Sequence, residues 1–324
     1  MTKRFAFLTF LFFFALYISS CSPSEQKQVS TELYPADPEN TGANEFVVSQ
    51  IESEQGQIVS GDSNEIQQVS ASDFHEKAVE ILKNFVDDKG MVKYQELRKK
   101  RVEFNLLLEE FKNLDPDEYK SWPLDDKKAF WINIYNLQKI KVVADNYPIQ
   151  SSRFLRVLWG INDLRHIESD ISEHKFLVMD EEFTFQKIVN RFFKQEFDDA
   201  RLFIALSDAC LSSPPLRDEP YYGDRIEEQL EDQAEKFLSS PLAFKIEKNK
   251  KRLYLSAIFE PGRFGKEFQA KYSIDRKFKD HPPAVRAVLN FISQYISDQD
   301  VSFLEVGNYS VSYMTYDWTI NDSS

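Results

Sequence analysis

One apolar run in the first half of the chain most constrains what this sequence can fold into. From about Asp126 to Asn146 the pattern predicts a long helix, with Asp125 as its N-cap and Tyr147-Pro148 as its end. Over its first three turns the apolar side chains lie nearly all the way round, which is typical of a helix packed on several sides. The fold must therefore enclose this helix with other elements.

Two asparagines interrupt the apolar surface of this central helix. Asn133 and Asn136 lie three residues apart and so share one face. A buried amide without partners costs about 1–3 kcal/mol, so we expect both side chains to hold a neighbouring loop. The alternative is that one of them orients a catalytic group.

A second stretch, residues 201–216 (RLFIALSDACLSSPPL), carries the densest set of candidate reactive groups. Its apolar opening predicts a buried strand, and its two prolines predict a rigid loop, because proline has no N–H for a ladder. The candidates for catalysis are Cys210, Ser213 and Asp208. Cys210 follows Asp208 by two residues, so on an extended chain the two side chains face the same side.

The order of the remaining elements predicts the fold class. Helices come first and strands mostly later, with no internal repeat, so we expect a single α+β domain over residues 71–324 with a buried central helix and an antiparallel sheet. The predicted elements are a helix from Phe74, a turn at 87–90, a second helix over 94–111, hairpins over 176–185 and 244–255, helices at 186–196, 224–240 and from 281, and a terminal strand over 309–316.

The composition of the chain limits the kinds of partner and cofactor that it can bind. A formal charge of -13 argues against nucleic acid, whose binding relies on lysine and arginine. His166 and His174 lie among several carboxylates, but no HExxH or comparable spacing accompanies them, so we predict no metal site and no cofactor.

The first residues predict export and lipid anchoring. Lys3 and Arg4 precede an apolar run from Phe5 to Ile18, which is typical of a signal peptide over residues 1–20. Ile18-Ser19-Ser20-Cys21 resembles the bacterial lipobox, which implies acylation of Cys21 and a membrane anchor in the cell envelope, on the periplasmic side or the surface. The alternative is a simple signal peptide with an incidental cysteine.

Residues 21–70 have the composition of a disordered tether. The segment after Cys21 carries nine acidic side chains and a single Lys27, with few large apolar residues. As a flexible coil it would hold the domain about 40 Å from the membrane.

Several of these stretches together resemble the DUF547 family. Ala129–Asn136 resembles its AFWINxYN helix, Tyr316–Asn321 its terminal YDWxLN, and Ala205–Leu216 its ALNCxSxSCPPL loop, while Ile188–Lys194 falls where the family has IEHxxLR. The likeness runs from about Phe74 to Asn321. It implies a thiol-hydrolase-like site built from the Glu-His pair and the loop cysteines, on a fold distantly similar to cysteine peptidases.

The chain departs from the family at those functional positions. The Glu-His pair is matched by Val189-Asn190 and the arginine by Lys194, while Asp208 and Ser213 match the two cysteines. Catalysis by sulfur needs a thiolate with a base in reach, and these positions supply neither. The leading hypothesis is a catalytically degenerate domain that binds an unknown protein or small molecule, or serves as a scaffold. The residues expected to line its ligand pocket are Asn133, Asn136, Asn190, Asp208, Tyr221 and Tyr222.

The alternative hypothesis is a hydrolase of peptide, acyl or cell-wall substrates. Its nucleophile would be Cys210 or Ser213, and its base would be supplied by a histidine. The candidate bases are His166, His174 and His281. A histidine nitrogen within about 4 Å of either nucleophile would favour this hypothesis. Metal binding by Asp208 lacks a supporting ligand spacing.

Overall fold

The computed structural model describes most of the chain after its first 70 residues. The predicted signal peptide, Cys21 and the predicted tether lie outside the described residues, as does most of 151–164. Within the described part, no helix is both long and apolar enough to cross a membrane. The described residues are 71–150, 157, 160–197, 199, 201–261, 266–273 and 277–323.

The architecture is α+β, as predicted, with helices in the majority. In chain order the helices are α1 (Ala71–Phe85), α2 (Tyr94–Lys99), α3 (Arg101–Asn113), α4 (Pro116–Ser121), α5 (Leu124–Asn146), α6 (Glu168–Ser172), α7 (Phe185–Ile188), α8 (Leu202–Ala205), α9 (Ile226–Ser239), α10 (Lys266–Tyr272), α11 (Pro283–Ile292) and α12 (Asp298–Glu305). The strands are β1 (Phe176–Val178), β2 (Glu181–Phe183), β3 (Phe244–Glu247), β4 (Arg252–Leu255) and β5 (Ser310–Tyr313).

The central helix is α5, and its enclosure is confirmed. From Lys128 to Ala144 every residue except Lys141 is buried. The helix begins at Leu124, with Pro123 at the N-cap position, so Asp125 lies in the first turn and not at the cap. There its carboxylate pairs with Lys128 at 3.0 Å.

Aromatic side chains pack the core around α5. Trp131 stacks on Phe192 with ring centroids 3.8 Å apart and contacts Phe183 at 4.9 Å. Phe192 belongs to a π-helical segment, Val189–Glu196, that continues α7. A second core lies between α9, α11 and the sheet of β3 and β4, where Phe237, Phe259 and Phe291 are fully buried.

Both predicted hairpins are confirmed, whereas the terminal strand pairs differently from the prediction. β1 pairs with β2, and β3 with β4, in antiparallel register. β5 joins β4 in parallel, Leu253 opposite Val311, so the three-stranded sheet is mixed and not purely antiparallel. The parallel pairing follows from the long connection through α10, α11 and α12, which returns the chain to the starting end of β4.

The prediction of a strand at residues 201–206 is wrong. Leu202–Ala205 forms one helical turn, α8, and the chain becomes extended only from Leu206. A short apolar run has no periodicity that separates a buried strand from a buried helical turn. Similarly, residues 94–113 form two helices, α2 and α3, with a break at Lys100.

Candidate functional site

The loop that follows α8, residues 206–222, is held from the central helix by two asparagine side chains. Asn133 accepts from the Tyr221 N–H and donates to the Tyr221 carbonyl, both at 2.8 Å. Asn136 accepts from the Ser207 N–H at 2.8 Å and donates to the Ala205 carbonyl at 2.9 Å. Each amide thus binds the loop backbone as a neighbouring strand would, and the expectation that they hold a loop is confirmed.

Two glutamines of α9 hold the same loop. Gln229 accepts from the Tyr222 N–H at 2.8 Å and donates to the Pro220 carbonyl at 2.9 Å. Gln233 donates to the carbonyls of Pro215, at 2.7 Å, and Ile204, at 3.1 Å. Since all four amides are buried, they fix the loop backbone between two helices.

The C-terminal segment completes the support of the loop. Cys210 forms an antiparallel bridge with Ile320, and the Leu211 N–H donates to the Thr319 carbonyl at 2.9 Å. The Ser212 hydroxyl accepts from the Asp317 N–H at 2.8 Å. The terminal YDWxLN-like motif therefore binds the loop that carries the candidate reactive groups.

The turn at 87–90 lies against the prolines of the loop. Gly90 has a φ of +76°, and a Cβ at this position would lie 2.6 Å from the Leu216 nitrogen and 2.9 Å from Pro215 Cβ. The close approach therefore requires glycine. Asn321 donates to the Gly90 carbonyl at 2.7 Å and accepts from the Tyr94 hydroxyl at 2.8 Å, so the same asparagine fixes both the turn and α2.

Asp208, which matches the first cysteine of the family motif, is part of an ion pair. Its Oδ1 lies 3.1 Å from Lys139 Nζ and accepts from the Tyr135 hydroxyl at 2.9 Å. Lys139 is only 6 % exposed, and its ammonium lies 4.4 Å from the centroid of the Phe185 ring. Lys139 and Tyr135 are residues of the central helix, so this helix supplies both partners of the carboxylate.

The Cys210 thiol is buried and far from ionisation at neutral pH. Burial, and then the negative charge of Asp208, raise the pKa of this thiol to about 12. The thiol donates to the Tyr316 hydroxyl at 3.3 Å. A nucleophilic cysteine needs a lowered pKa, so this environment opposes thiolate chemistry.

Ser213, which matches the second cysteine, is occupied by backbone contacts. Its hydroxyl is buried and lies 3.0 Å from the Cys210 carbonyl and 3.2 Å from the Pro214 carbonyl, which accept its proton. The neighbouring hydroxyl of Ser207 is 3.3 Å away. These contacts tie the turn together, as serine commonly does in tight loops.

The three histidines considered as bases each contact other groups. His166 Nε2 lies 2.9 Å from the Gly160 carbonyl, and His281 Nε2 lies 3.1 Å from the Tyr309 hydroxyl. His174 Nε2 lies 3.0 Å from Gln138 Oε1, and burial lowers the pKa of this imidazole to about 4. In the part of the chain that the structure describes, no group of three or more histidine, cysteine or acidic side chains is placed to hold a metal ion.

A cavity of about 310 Å³ lies along the proline-containing part of the loop. Its wall is formed by the turn at 87–91, the loop at 210–218 and the C-terminal half of α9, with Leu242 and Asn321. Cys210, Ser213, Arg217 and Gln233 all contribute to this wall. This volume is at the low end of the range of small-molecule sites.

The six residues predicted to line a ligand pocket lie elsewhere around the loop. Two of them, Asn133 and Asn136, bind its backbone, and Asp208 pairs with Lys139. None of the six contributes to the wall of the 310 Å³ cavity. The other three are the fully buried Tyr221, the partly exposed Tyr222, and Asn190, half-buried in the π-helical segment.

The sequence patterns do not predict all the residues of the site, although the sequence contains a signal for two of them. Lys139 and Tyr135 lie four residues apart within a helix predicted to be packed on several sides, so a charged residue there needs a partner. Arg217 and Gln233 carry no such signal, because each is an ordinary residue of a polar segment.

The fold and the site together define the class of this domain. It is an α+β domain in which a buried helix and a C-terminal segment hold a polar loop that contains two adjacent prolines. Residues 119–238, which contain α5, this loop and α9, match the family described as "Protein of unknown function, DUF547". This match confirms the resemblance to the DUF547 family that the motifs show. No curated protein and no solved structure is detectably similar to the chain.

Proposed function

We propose that this chain is a lipid-anchored protein of the bacterial cell envelope, and that its DUF547 domain binds a protein or small molecule without hydrolysing it. The anchor is inferred from the basic start, the apolar run and the lipobox-like sequence that ends in Cys21. Two or more acyl chains would hold the protein to a membrane stably.

The ion pair at Asp208 is the observation that carries the proposed absence of hydrolysis. Where the family motif has its first cysteine, this chain has a carboxylate that already holds the Lys139 ammonium and the Tyr135 hydroxyl. A carboxylate engaged in this way is a poor nucleophile. The substitution therefore favours loss of the family's suspected thiol chemistry.

The neighbouring groups support the same proposal. Cys210 has a thiol pKa of about 12, so at pH 7 the thiolate fraction is negligible. The Ser213 hydroxyl donates to backbone carbonyls and not to a base. What remains beside these residues is a preformed cavity of about 310 Å³, which suits a bound ligand.

Hydrolysis assays on the purified full chain test this proposal. The substrates are a nitrophenyl acyl ester, a peptide anilide and a cell-wall peptide fragment. We expect turnover no greater than that of the Cys210→Ser and Ser213→Ala variants. Turnover in the natural chain that either substitution abolishes would contradict the proposal and favour the hydrolase.

Metabolic labelling tests the anchor. Cells that express the full chain are grown with an alkyne-tagged fatty acid, and we expect label on the protein in the membrane fraction. Cys21→Ala should remove the label, whereas Cys210→Ala, which changes the other cysteine, should retain it. Equal labelling of the natural chain and Cys21→Ala would refute acylation at this residue.

A further inference from the structure

A short basic run lies on the surface of this acidic chain, at the junction of α2 and α3. Its four side chains are all exposed, and they are Arg98, Lys99, Lys100 and Arg101. Residues 94–106 carry four cations and two carboxylates, whereas the whole chain has a formal charge of -13. The junction therefore has the opposite charge to the rest of the molecule and attracts anions.

Most of these cations have no carboxylate partner within the domain. Lys100 pairs with Glu103 at 2.8 Å, and both side chains are more than half exposed. The other three form no ion pair among the residues that the structure describes, and they are Arg98, Lys99 and Arg101. Their charges are therefore available to an anionic partner outside the chain.

Two apolar side chains of α3 lie exposed beside the basic run. Val102 is 66 % exposed and Leu106 is 63 % exposed. They are four residues apart and so share one face of the helix. The buried residues of α3 are Phe104, Leu107, Leu108 and Phe111. The outward face of α3 thus joins exposed apolar groups to cations, and we call residues 98–102 with Leu106 the α3 patch.

This combination fits a lipid surface better than a dissolved anion. Near an anionic leaflet, each lysine or arginine strengthens binding about fivefold. Apolar side chains beside the cations enter the boundary between headgroups and acyl chains. A dissolved anion would engage the cations alone and would leave Val102 and Leu106 in water.

The proposed anchor would bring the α3 patch within reach of a membrane. The chain from Cys21 enters the described domain at α1, and α1 packs against α3, where Lys77 pairs with Glu110. With 13 residues, α3 is about 20 Å long. The predicted tether spans about 40 Å as a flexible coil. The α3 patch can therefore contact the bilayer that holds the anchor.

We propose that the α3 patch docks onto an anionic lipid surface, that of the membrane to which the chain is anchored. The cations lie at the phosphate groups of the lipids, and Val102 and Leu106 enter the layer below them. The inference rests on the proposed lipid anchor and adds an orientation, in which α3 faces the bilayer.

A fluorescent probe beside the α3 patch tests the inference on the full chain. Asn105→Cys, at an exposed position, is labelled with nitrobenzoxadiazole and reconstituted into vesicles of equal parts phosphatidylglycerol and phosphatidylcholine. We expect emission at a shorter wavelength than in vesicles of phosphatidylcholine alone, because docking moves the probe out of water. Salt at about 1 M, where the Debye length is ~3 Å, should weaken this difference.

Two controls accompany the probe. Val306→Cys carries the same label at an exposed apolar position beside Glu305, outside the α3 patch, and its emission should not depend on the lipid. The natural chain, treated with the same reagent, measures any label on Cys21 and Cys210.

Variants in the labelled chain measure what the α3 patch contributes. Lys99→Gln with Arg101→Gln should lower the ratio of docked to free probe at least about tenfold, because two cations are lost. Lys250→Gln with Lys251→Gln removes the same charge from the turn between β3 and β4 and should leave the ratio unchanged. Val102→Ser with Leu106→Ser should lower it at least about fivefold, and the exposure of both side chains keeps this variant folded.

Flotation of the vesicles separates failure of the inference from failure of the anchor. If the chain floats but the probe at position 105 stays in water, or if the patch variants behave like the control, the docking inference is wrong and the anchor is unaffected. A chain that does not float contradicts both, because a docked patch would also retain it. A wavelength change without vesicles that grows with protein concentration would assign the α3 patch to a second copy of the chain and overturn the inference.

Discussion

Lys139 Nζ lies 3.1 Å from Asp208 Oδ1, in a pair whose ammonium is buried and whose carboxylate is 41 % exposed. The rings of Phe185 and Tyr135, with centroids at 4.4 and 5.3 Å, also face this ammonium. A buried charge is tolerated only with such partners. The residue that the motif resemblance matches to the family's first cysteine is therefore a carboxylate that pairs with a lysine of the central helix.

Removing this carboxylate should destabilise the domain. Loss of one partner of a fully buried pair costs about 3–5 kcal/mol, and the exposure of Asp208 reduces this for Asp208→Ala to about 2 kcal/mol. The measurement is the free energy of unfolding in urea. The double variant Asp208→Ala with Lys139→Met should recover part of the loss, because it leaves no unpaired charge. A loss below about 0.5 kcal/mol for Asp208→Ala would show that the pair does not stabilise the fold.

The two hydrogen bonds that Asn136 makes to the backbone of Ala205 and Ser207 give a second prediction. Asn136→Ala leaves the Ser207 N–H and the Ala205 carbonyl without their partner in a buried position, which should cost about 2–4 kcal/mol. Urea unfolding of the variant measures this cost. Asn146→Ala, at the end of the same helix, is the control, because Asn146 makes a single bond to the Val142 carbonyl. An equal loss of unfolding free energy in the two variants would show that the hydrogen bonds of Asn136 to the loop have no special role.

The sequence was sufficient to predict the central helix, both hairpins and the loop-binding role of the asparagines. These predictions rest on local patterns, such as the enclosing apolar surface of α5 and the turn between Phe176 and Phe183. The helical turn at Leu202–Ala205 was missed because four apolar residues satisfy a strand and a helix equally. The parallel pairing of β5 with β4 was missed because it depends on the path of a long connection.

The site could be predicted only in part from the sequence, again because some of its contacts join distant parts of the chain. Asp208 and Cys210 could be selected because they lie in one short stretch. The pairing of Asp208 with Lys139 joins residues 69 positions apart, and the cavity joins the turn at 87–91 to the end of α9. Such contacts are set by tertiary packing, which no local pattern encodes.

His174 predicts a dependence of stability on pH. Burial lowers its pKa from 6.5 to about 4, so the folded protein resists protonation at this ring while the unfolded chain accepts a proton. Since the unfolded state then binds more protons, stability should fall as the pH falls from about 6.5 to about 4. The slope should be at most about 1.4 kcal/mol per pH unit, and smaller because the ring is partly solvated.

The measurement is urea unfolding at pH 7 and pH 5 for the natural chain and for His174→Gln. The substitution should flatten the difference between the two pH values. An equal pH dependence in the natural chain and His174→Gln would mean that carboxylates alone produce the loss at acidic pH.

Returning a cysteine to the family position gives the sharpest test of what the scaffold retains. In Asp208→Cys with Cys210→Ser, the new thiol would replace the carboxylate beside the Lys139 ammonium, at a partly exposed position. A neighbouring cation lowers the pKa of a thiol, so we expect alkylation by iodoacetamide at pH 7 at least about tenfold faster than that of Cys210 in the natural chain. The latter thiol is buried with a pKa of about 12. Adding Lys139→Met should slow the reaction of the new cysteine, because the cation is removed while the exposure is kept. If that third change leaves the rate unaltered, exposure alone accounts for the reactivity, and Lys139 has no electrostatic effect at this position.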